Sequence, residues 1–177
     1  MKKVMATGTF DILHPGHGVY LEESKKLGGE NAKLYVVVAR DSTVERRKRV
    51  PIVGEDQRLE LIKMLKPVDE AYLGDANGDV FKIVHEINPD IITVGADQNH
   101  DISKLQAAID KRGLKAKAIR VEKYRDCELD SSCKIIKKIQ NTNFEGKILD
   151  IESLALAGCL GDVSFSVICS ARGYCGV

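Results

Sequence analysis

Two histidines and a glycine occur within four residues of this chain, in His14-Pro15-Gly16-His17, shortly after Gly8-Thr9-Phe10-Asp11. Imidazoles at this spacing can donate hydrogen bonds to the same phosphate oxygens, and a glycine lets the backbone approach a phosphate closely. Transfer of a nucleoside monophosphate needs such donors, because negative charge builds up around the α-phosphorus and on the departing pyrophosphate. No protein nucleophile is required. The segment therefore predicts a nucleotidyl-transfer site with His14 and His17 as its catalytic residues.

Other interpretations of this segment give the histidines a smaller role. They could be ordinary loop residues, with Pro15-Gly16 as a turn, but the neighbouring Gly-Thr-Phe-Asp and a strand predicted just before it favour the functional interpretation. A zinc site would need further ligands, and no nearby cysteine or glutamate completes a plausible set. The five cysteines of the chain form no Cys-x-x-Cys pair. We therefore predict no protein-bound metal here.

Hydrophobic patterns predict five short strands that alternate with helices. Residues 34–39 are the clearest, because this continuous apolar run is typical of a strand covered on both faces. The other strands are predicted at 3–7, 71–73, 91–94 and 117–121. Helices are predicted at 18–27, 55–65, 80–87 and 102–112, with residues 8–17 as a loop.

This alternation predicts an α/β fold with a doubly wound, Rossmann-like parallel sheet of about five strands. Such sheets bind ligands in a crevice beyond the carboxyl ends of the strands, where the loop after the first strand also lies. We expect a nucleotidyltransferase domain over residues 1–140. Residues 141–177 are richer in Gly, Ser and Cys and follow neither period cleanly, so they are predicted to be a C-terminal tail of unassigned structure.

A second phosphate-binding segment is predicted at Asp130-Ser131-Ser132-Cys133-Lys134. The hydroxyls of Ser131 and Ser132, together with the N–H groups of a helix that starts there, would suit the β- and γ-phosphates of a nucleotide. Lys134 would add a positive charge. The alternative is an ordinary serine N-cap of a helix.

Together, the two segments resemble the cytidylyltransferase-like nucleotidyltransferase superfamily. Its marks are a Gly-x-Phe-Asp segment, a His-x-Gly-His segment and a late motif of the Ser-Ser-Thr type. In this chain Cys133 stands in place of the usual threonine, and Asp130 in place of the usual apolar residue. This departure is the one encouragement for a rival interpretation, a non-catalytic nucleotide-binding protein.

Within the superfamily, residues 1–140 resemble the archaeal FAD synthase family, the adenylyltransferases that join AMP to FMN. The resemblance is carried by residues 6–17, 36–43, 65–69, 88–98 and 131–138. It implies ATP and FMN as substrates, a divalent cation such as Mg²⁺ bound with the ATP, and a homodimer. It also implies ATP contacts from Thr9, Phe10, His14, Pro15, Gly16, His17, Asp97 and Tyr124. The residues themselves support the first six of these contacts.

Two of the implied ATP ligands also have ordinary structural interpretations. Asp97 follows the strand predicted at 91–94, where an acidic side chain could accept from an adenine amino group or a ribose hydroxyl. It could equally be a turn or cap residue. Tyr124 could stack on a base or simply cover the edge of the sheet.

A basic run, Arg46-Arg47-Lys48-Arg49, lies between the second predicted strand and the next helix. The usual interpretation of such a run is a solvated, mobile loop. In this fold the loop could instead cover the triphosphate or the FMN phosphate. Lys48 and Arg49 are therefore candidate phosphate ligands, as is Arg58 in the following helix.

Composition limits the partners of the chain. Lys and Arg total 27 against 26 for Asp and Glu, so a net charge of +1 offers no general attraction to nucleic acid or to anionic membranes.

No secretory signal and no run of about 18 apolar residues is present, which predicts a cytoplasmic location. The odd number of cysteines argues against a disulfide framework. Cys127 precedes the late motif and Cys133 lies in it, where a reactive thiol could make activity redox-sensitive.

Several enzymes share the predicted chemistry but differ in substrate. A glycerol-3-phosphate-type cytidylyltransferase or a phosphopantetheine adenylyltransferase would use the same site, and residue spacing does not separate CTP from ATP. Aminoacyl-tRNA synthetases use a related histidine motif, but 177 residues leave no room for their second signature and anticodon-binding parts. The resemblance therefore decides the expectation, which is direct in-line transfer of AMP from ATP to FMN.

Overall fold

The computed structural model describes residues 1–47, 49–96, 98, 100–122 and 127–142 of the 177-residue chain. The first compact unit is Met1–Ile139, and it holds all the elements below except the end of the last helix. Only residues 141 and 142 of the predicted tail are described. The domain boundary expected at residue 140 therefore stays a prediction.

Along the described residues strands alternate with helices, except that two helices lie between the second and third strands. The strands are β1 (Lys3–Gly8), β2 (Lys33–Val38), β3 (Glu70–Leu73), β4 (Ile91–Gly95) and β5 (Lys117–Val121). The helices are α1 (Pro15–Leu27), α2 (Asp41–Arg47), α3 (Glu55–Lys63), α4 (Val80–Ile87), α5 (Ile102–Asp110) and α6 (Ser132–Asn141).

The five strands form one parallel sheet in the order β3-β2-β1-β4-β5. This confirms the predicted doubly wound α/β fold. The chain builds outward from β1 to β3 and then crosses over to β4 on the other side of β1. Such a reversal of strand order is where a ligand crevice opens at the carboxyl ends of the strands. Here β1 ends at Gly8 and β4 at Gly95, so the loops after these two strands flank the expected crevice.

The core lies in two layers, one on each face of the sheet. Along β2, Leu34, Val36 and Val38 join the layer that contains residues of α1 and α3. Tyr35 and Val37 join the other layer, with residues of α4 and α5. All five side chains are buried. Successive residues of a strand point to opposite faces, so a strand buried on both faces is apolar throughout, as the sequence of β2 indicated.

A buried polar cluster fixes α1 on the sheet. Thr93 of β4 is fully buried, and its hydroxyl lies 2.9 Å from Ser24 Oγ of α1 in a shared hydrogen bond. The Tyr20 hydroxyl, also on α1, donates to the Thr93 carbonyl oxygen at 2.9 Å. Leaving such buried groups unpaired would cost about 1–3 kcal/mol each. These bonds therefore favour a single placement of α1, whose first turn carries His17.

Helix α1 begins three residues before the predicted start at residue 18. The sequence analysis placed residues 8–17 in a loop, but the fixed φ and missing N–H of a proline also suit the first position of a helix. His14 precedes it with extended backbone, φ −146° and ψ 166°, as expected before a proline. Gly16 and His17 therefore lie in the first helical turn and not in a loop.

A second difference from the sequence prediction is α2, which includes the first half of the basic run expected to be a mobile loop. The start of α2 and the start of α3 cap each other. The Asp41 N–H donates to Glu55 Oε2 at 2.7 Å, and the Glu55 N–H donates to Asp41 Oδ2 at 3.1 Å. Arg40 adds an ion pair with Glu55 at 2.7 Å. The local sequence gives little sign of α2, because its capping partner lies 14 residues further along the chain.

Arg58 of α3 is completely buried and connects three separate segments. Its Nε donates to the Val53 carbonyl at 2.8 Å, its Nη2 to the Ala39 carbonyl at 2.9 Å, and its Nη1 to the Thr9 carbonyl. Asp41 Oδ1, 2.5 Å from Nη2, balances the charge. The guanidinium is thus bound to the protein's own oxygens, which corrects the suggestion that Arg58 is a phosphate ligand.

Replacing Arg58 by methionine should lower the free energy of unfolding by about 3–5 kcal/mol, because Asp41 and three carbonyl groups would lose their buried donor. Urea unfolding of the two proteins measures the difference. Arg46→Met is the matched control, since Arg46 is exposed and its Nε bonds within its own helix to the Ser42 carbonyl. We expect the control to shift stability by less than about 0.5 kcal/mol. Equal losses for the two variants would contradict the role given to Arg58.

Candidate active site

His14 and His17 lie side by side at the N-terminus of α1. Their ring centroids are 3.8 Å apart, and the ring planes are inclined at 34°. In this first turn Pro15 has no N–H, and the His17 N–H donates to the His14 carbonyl at 2.9 Å. The helix dipole still favours an anion at this end. The fold thus brings the two predicted donors together where a phosphate would be attracted.

The hydrogen bonding of His17 identifies which of its nitrogens can act on a ligand. The backbone N–H of His14 donates to His17 Nδ1 across 3.4 Å. A nitrogen that accepts does not carry the proton, so in the neutral ring the proton is on Nε2, which is then the donor. Burial, reinforced by the nearby charge of His14, lowers the pKa of His17 from 6.5 to about 3. His17 is therefore a neutral hydrogen-bond donor at pH 7.

The Phe10 ring packs against the ring of His17. Its side chain is 2% exposed, and its ring centroid lies 5.3 Å from that of His17. The Phe10 backbone has a φ of 53°, a left-handed conformation that costs a non-glycine residue about 1–3 kcal/mol. Gly8 makes room for the ring, because a Cβ there would lie 2.7 Å from it. The burial of the ring points to a supporting role, and the expected contact of Phe10 with ATP stays a prediction.

Gly16 is the point where the histidine segment meets the late motif. A Cβ on Gly16 would lie 2.9 Å from His14 Nδ1 and 3.0 Å from the Asp130 carbonyl oxygen. The sequence suggested that this glycine admits a phosphate. The structure shows that it also admits an imidazole and a backbone carbonyl, so any larger residue would push the two motifs apart.

The late motif forms the start of α6 and borders the same crevice. The Ser132 hydroxyl donates to the Ile12 carbonyl at 3.2 Å. Ser131 Oγ accepts from the Lys134 N–H at 3.3 Å, which is the capping role considered as the alternative to phosphate binding. A hydroxyl that accepts can still donate its own proton, so capping leaves phosphate binding open. The Lys134 ammonium lies 2.8 Å from Asp130 Oδ2, which offsets its charge.

Two polar residues that the sequence did not single out shape the crevice from the side of β4. Gln98 borders it, and its Nε2 donates to the Thr7 carbonyl of β1 at 3.0 Å. Arg120 of β5 holds the loop after β4, since its Nη1 donates to the carbonyls of Gly95 and Gln98, each at 2.9 Å. A polar residue just beyond a strand that ends at the switch point is a signal that could have identified Gln98.

The crevice has a volume of about 200 Å³. The predicted site residues that border it are Thr9, Phe10, His14, Gly16, His17, Arg49, Ser131 and Ser132. Pro15, the first residue of α1, and Lys134 do not border it. Lys48, Asp97 and Tyr124 lie outside the described residues. The structure thus brings eight predicted residues around one cavity, and their individual contacts with a nucleotide remain predictions.

Within the described part of the chain, no three His, Cys, Asp or Glu side chains cluster closely enough to hold a metal ion. No helix among these residues is long and apolar enough to cross a membrane. Cys127 and Cys133 are free thiols, and Cys133 borders the crevice.

Comparison with known proteins agrees with this architecture. A FAD synthase of Methanobrevibacter smithii is 77% identical over 150 residues, which covers 85% of this chain and 98% of the relative. A FAD synthase of Methanothermobacter thermautotrophicus is 63% identical over 145 residues, covering 82% and 95%. A crystal structure titled as a lipopolysaccharide core biosynthesis protein from Thermoplasma volcanium is 54% identical, with a TM-score of 0.66, covering 71% of this chain and 99% of that one.

The family model described as cytidylyltransferase-like matches residues 5–138, which include the histidine segment, most of β1, the other four strands and the late motif. The fold, the paired histidines and this match agree with one another: the chain belongs to the cytidylyltransferase-like family.

Proposed function

We propose that this chain is an FMN adenylyltransferase, which transfers AMP from ATP to FMN and yields FAD and pyrophosphate. The observation that carries this proposal is the pair of histidines at the start of α1, in a crevice that Arg49, Ser131 and Ser132 also border. The relatives at 77% and 63% identity are named FAD synthase, which supports ATP and FMN as the substrates.

The reaction is a direct in-line transfer. A phosphate oxygen of FMN attacks the α-phosphorus of ATP, and a new P–O bond forms. The bond from the α-phosphorus to the oxygen that bridges to the β-phosphate breaks, and that oxygen leaves with pyrophosphate. Both substrates are already ionised at neutral pH, so no general base is needed. The protein contributes positioning and electrostatic stabilisation.

Each part of the crevice has a distinct task in this scheme. His17 donates through Nε2–H to the α-phosphate, and His14 assists beside it. The start of α6, with Ser131 and Ser132, and the Arg49 guanidinium bind the β- and γ-phosphates, where negative charge collects as pyrophosphate leaves.

The divalent cation enters as part of the substrate, the magnesium–ATP complex, in which it shields the triphosphate charge. The crevice would supply side-chain and backbone donors to the phosphates of that complex. Lys48, Asp97 and Tyr124 remain proposed contacts with ATP or its phosphates.

The proposed activity is tested by pyrophosphate release with magnesium, pairing ATP and CTP each with FMN, glycerol 3-phosphate and phosphopantetheine, and separating the products by chromatography. We expect that, of these pairs, only ATP with FMN reacts, and that the product is FAD. Reaction of CTP, or of another acceptor, would keep the chemistry and overturn the substrates. If ATP bound and no pair reacted, the chain would be a non-catalytic nucleotide-binding protein.

Removing the His17 side chain tests its role in transfer. His17→Ala should lower kcat more than about tenfold, because loss of one donor to a developing oxyanion commonly costs that or more. Circular dichroism should show an unchanged fold. His85→Ala, on the exposed surface of α4, is the matched control and should leave kcat unchanged. Normal turnover in the His17 variant would overturn its assignment.

The neutral state of His17 can be checked by ¹⁵N NMR of the histidine side chains in the free protein. With a pKa of about 3, His17 should keep the Nε2–H form from pH 8 to pH 5. In the urea-unfolded chain it should titrate near its ordinary value of about 6.5. The unfolded state then binds more protons, so the contribution of His17 to stability should fall as the pH drops below about 6.5. Protonation of His17 in the folded protein near pH 6 would contradict this picture.

A further inference from the structure

Asp11 lies beside the crevice with a carboxylate that is only 3% exposed. Both oxygens bind residues of one segment, the 49–53 loop. Oδ1 accepts from the backbone N–H groups of Ile52 at 2.9 Å and Val53 at 2.8 Å. Oδ2 lies 2.5 Å from Arg49 Nη2 in an ion pair. Asp11 therefore ties the loop after β1 to the segment that precedes α3.

The charge of Asp11 needs a partner at this place. Burial alone would raise its pKa, but the N–H groups of Val53 and Ile52 and the guanidinium of Arg49 outweigh burial and hold the pKa below its ordinary value. Asp11 is thus a carboxylate at neutral pH, next to a crevice that we propose holds a triphosphate. An uncompensated carboxylate there would repel the phosphates, and Arg49 neutralises it.

The hydrophobic side chains of the 49–53 loop do little to anchor it. Val50 is 68% exposed and Ile52 is 66% exposed, so neither packs into the core. Polar contacts hold the loop instead: Asp11 binds Arg49 at one end and the N–H groups of Ile52 and Val53 at the other. The Val53 carbonyl also accepts from Arg58 Nε at 2.8 Å.

Arg49 is oriented by this arrangement but not enclosed by it. The Arg49 side chain is 37% exposed, whereas that of Asp11 is 3% exposed. Arg49 borders the same crevice as His14 and His17. Nη2 pairs with Asp11 and Nη1 donates to the Val50 carbonyl at 3.0 Å. A guanidinium has five N–H groups, so donors remain for a phosphate.

We propose that Asp11 is a positioning residue for nucleotide binding: it holds the 49–53 loop at the crevice, so that Arg49 presents its guanidinium to the triphosphate of ATP. The proposal rests on the proposed function, in which ATP occupies this crevice. Asp11 itself does not contact the substrate, and its effect passes through Arg49.

Asp11→Asn is the primary test, because asparagine keeps an oxygen for the two backbone N–H groups and loses the charge that holds Arg49. We expect the KM for magnesium–ATP to rise about tenfold, the loss typical of one charge-assisted hydrogen bond to a ligand. The KM for FMN should change less than about twofold. An unchanged KM for magnesium–ATP would overturn the proposal.

Coupling to Arg49 distinguishes positioning from an independent effect. Arg49→Ala should also raise the KM for magnesium–ATP. Adding Asp11→Asn to that variant should raise the KM by less than about twofold more, because the effects of substitutions at two residues in contact are not additive. If the two effects multiplied in full, Asp11 would not act through Arg49 and the proposal would fail.

Asp69→Asn is a matched control for loss of a structural carboxylate. Asp69 likewise accepts from a backbone N–H, that of Leu34 at 2.7 Å, and pairs with Lys25 at 2.7 Å, but it lies at the opposite, amino end of β2. Thermal unfolding of both variants monitors stability. Asp69→Asn should leave the KM for magnesium–ATP unchanged. An equal rise in that KM would mean that the Asp11 effect is a general loss of structure.

Calorimetric titration of each variant with magnesium–ATP, in the absence of FMN, separates this proposal from the proposed function. If the wild-type protein binds the nucleotide but makes no FAD, the proposed function is overturned. The affinities of the variants for magnesium–ATP then still test the role of Asp11. If the wild-type protein makes FAD and Asp11→Asn binds the nucleotide as tightly, only the positioning role falls. If the wild-type protein does not bind magnesium–ATP, both are overturned.

Discussion

The crevice depends on a positively charged side chain, that of Arg58, which does not line it. A buried guanidinium costs several kcal/mol in lost hydration unless a counter-charge and hydrogen-bond acceptors surround it, and for Arg58 they come from Asp41 and three carbonyl groups. Those carbonyls, of Thr9, Ala39 and Val53, belong to the loop after β1, the loop after β2 and the segment before α3. The requirement to satisfy one buried charge therefore fixes three backbone segments relative to one another, and these segments carry or adjoin the residues of the crevice.

Polar contacts elsewhere in the fold explain why two distant motifs share one site. The polar bonds of α1 to β4 set where the histidines stand, and Gly16 then lets the Asp130 carbonyl approach within contact distance. The Ser132 hydroxyl, 120 residues from Ile12, closes the contact by donating to its carbonyl. A glycine at position 16 is therefore required by the close approach of the two segments and not only by the need to admit a phosphate.

These origins explain how far the sequence could predict the molecule. Strand and helix alternation, the buried run in β2 and the spacing of His14 and His17 are local patterns, so the fold and family were confirmed and the histidines were found adjacent. The start of α1 was misplaced because Pro15 and Gly16 suit a turn as well as a first helical turn. The helix α2 and the roles of Asp11 and Arg58 depend on partners 14 to 49 residues away, which no local period encodes. An arginine such as Arg58 looks like any solvated helix residue until its surroundings are known.

The neutral state of His17 also decides how the crevice can hold a highly charged nucleotide. With its pKa near 3, His17 brings no positive charge at pH 7. A net charge of +1 over the chain provides no general attraction either, so attraction for the triphosphate must be local. It would come from the N-termini of α1 and α6 and from Arg49, whose charge is already shared with Asp11. In the proposed function, binding and transfer would therefore be divided: fixed dipoles and the oriented Arg49 guanidinium would attract the phosphates, and a neutral donor would act where negative charge develops. A donor without charge stabilises that developing charge without binding the ground-state triphosphate too strongly, as catalysis by differential binding requires.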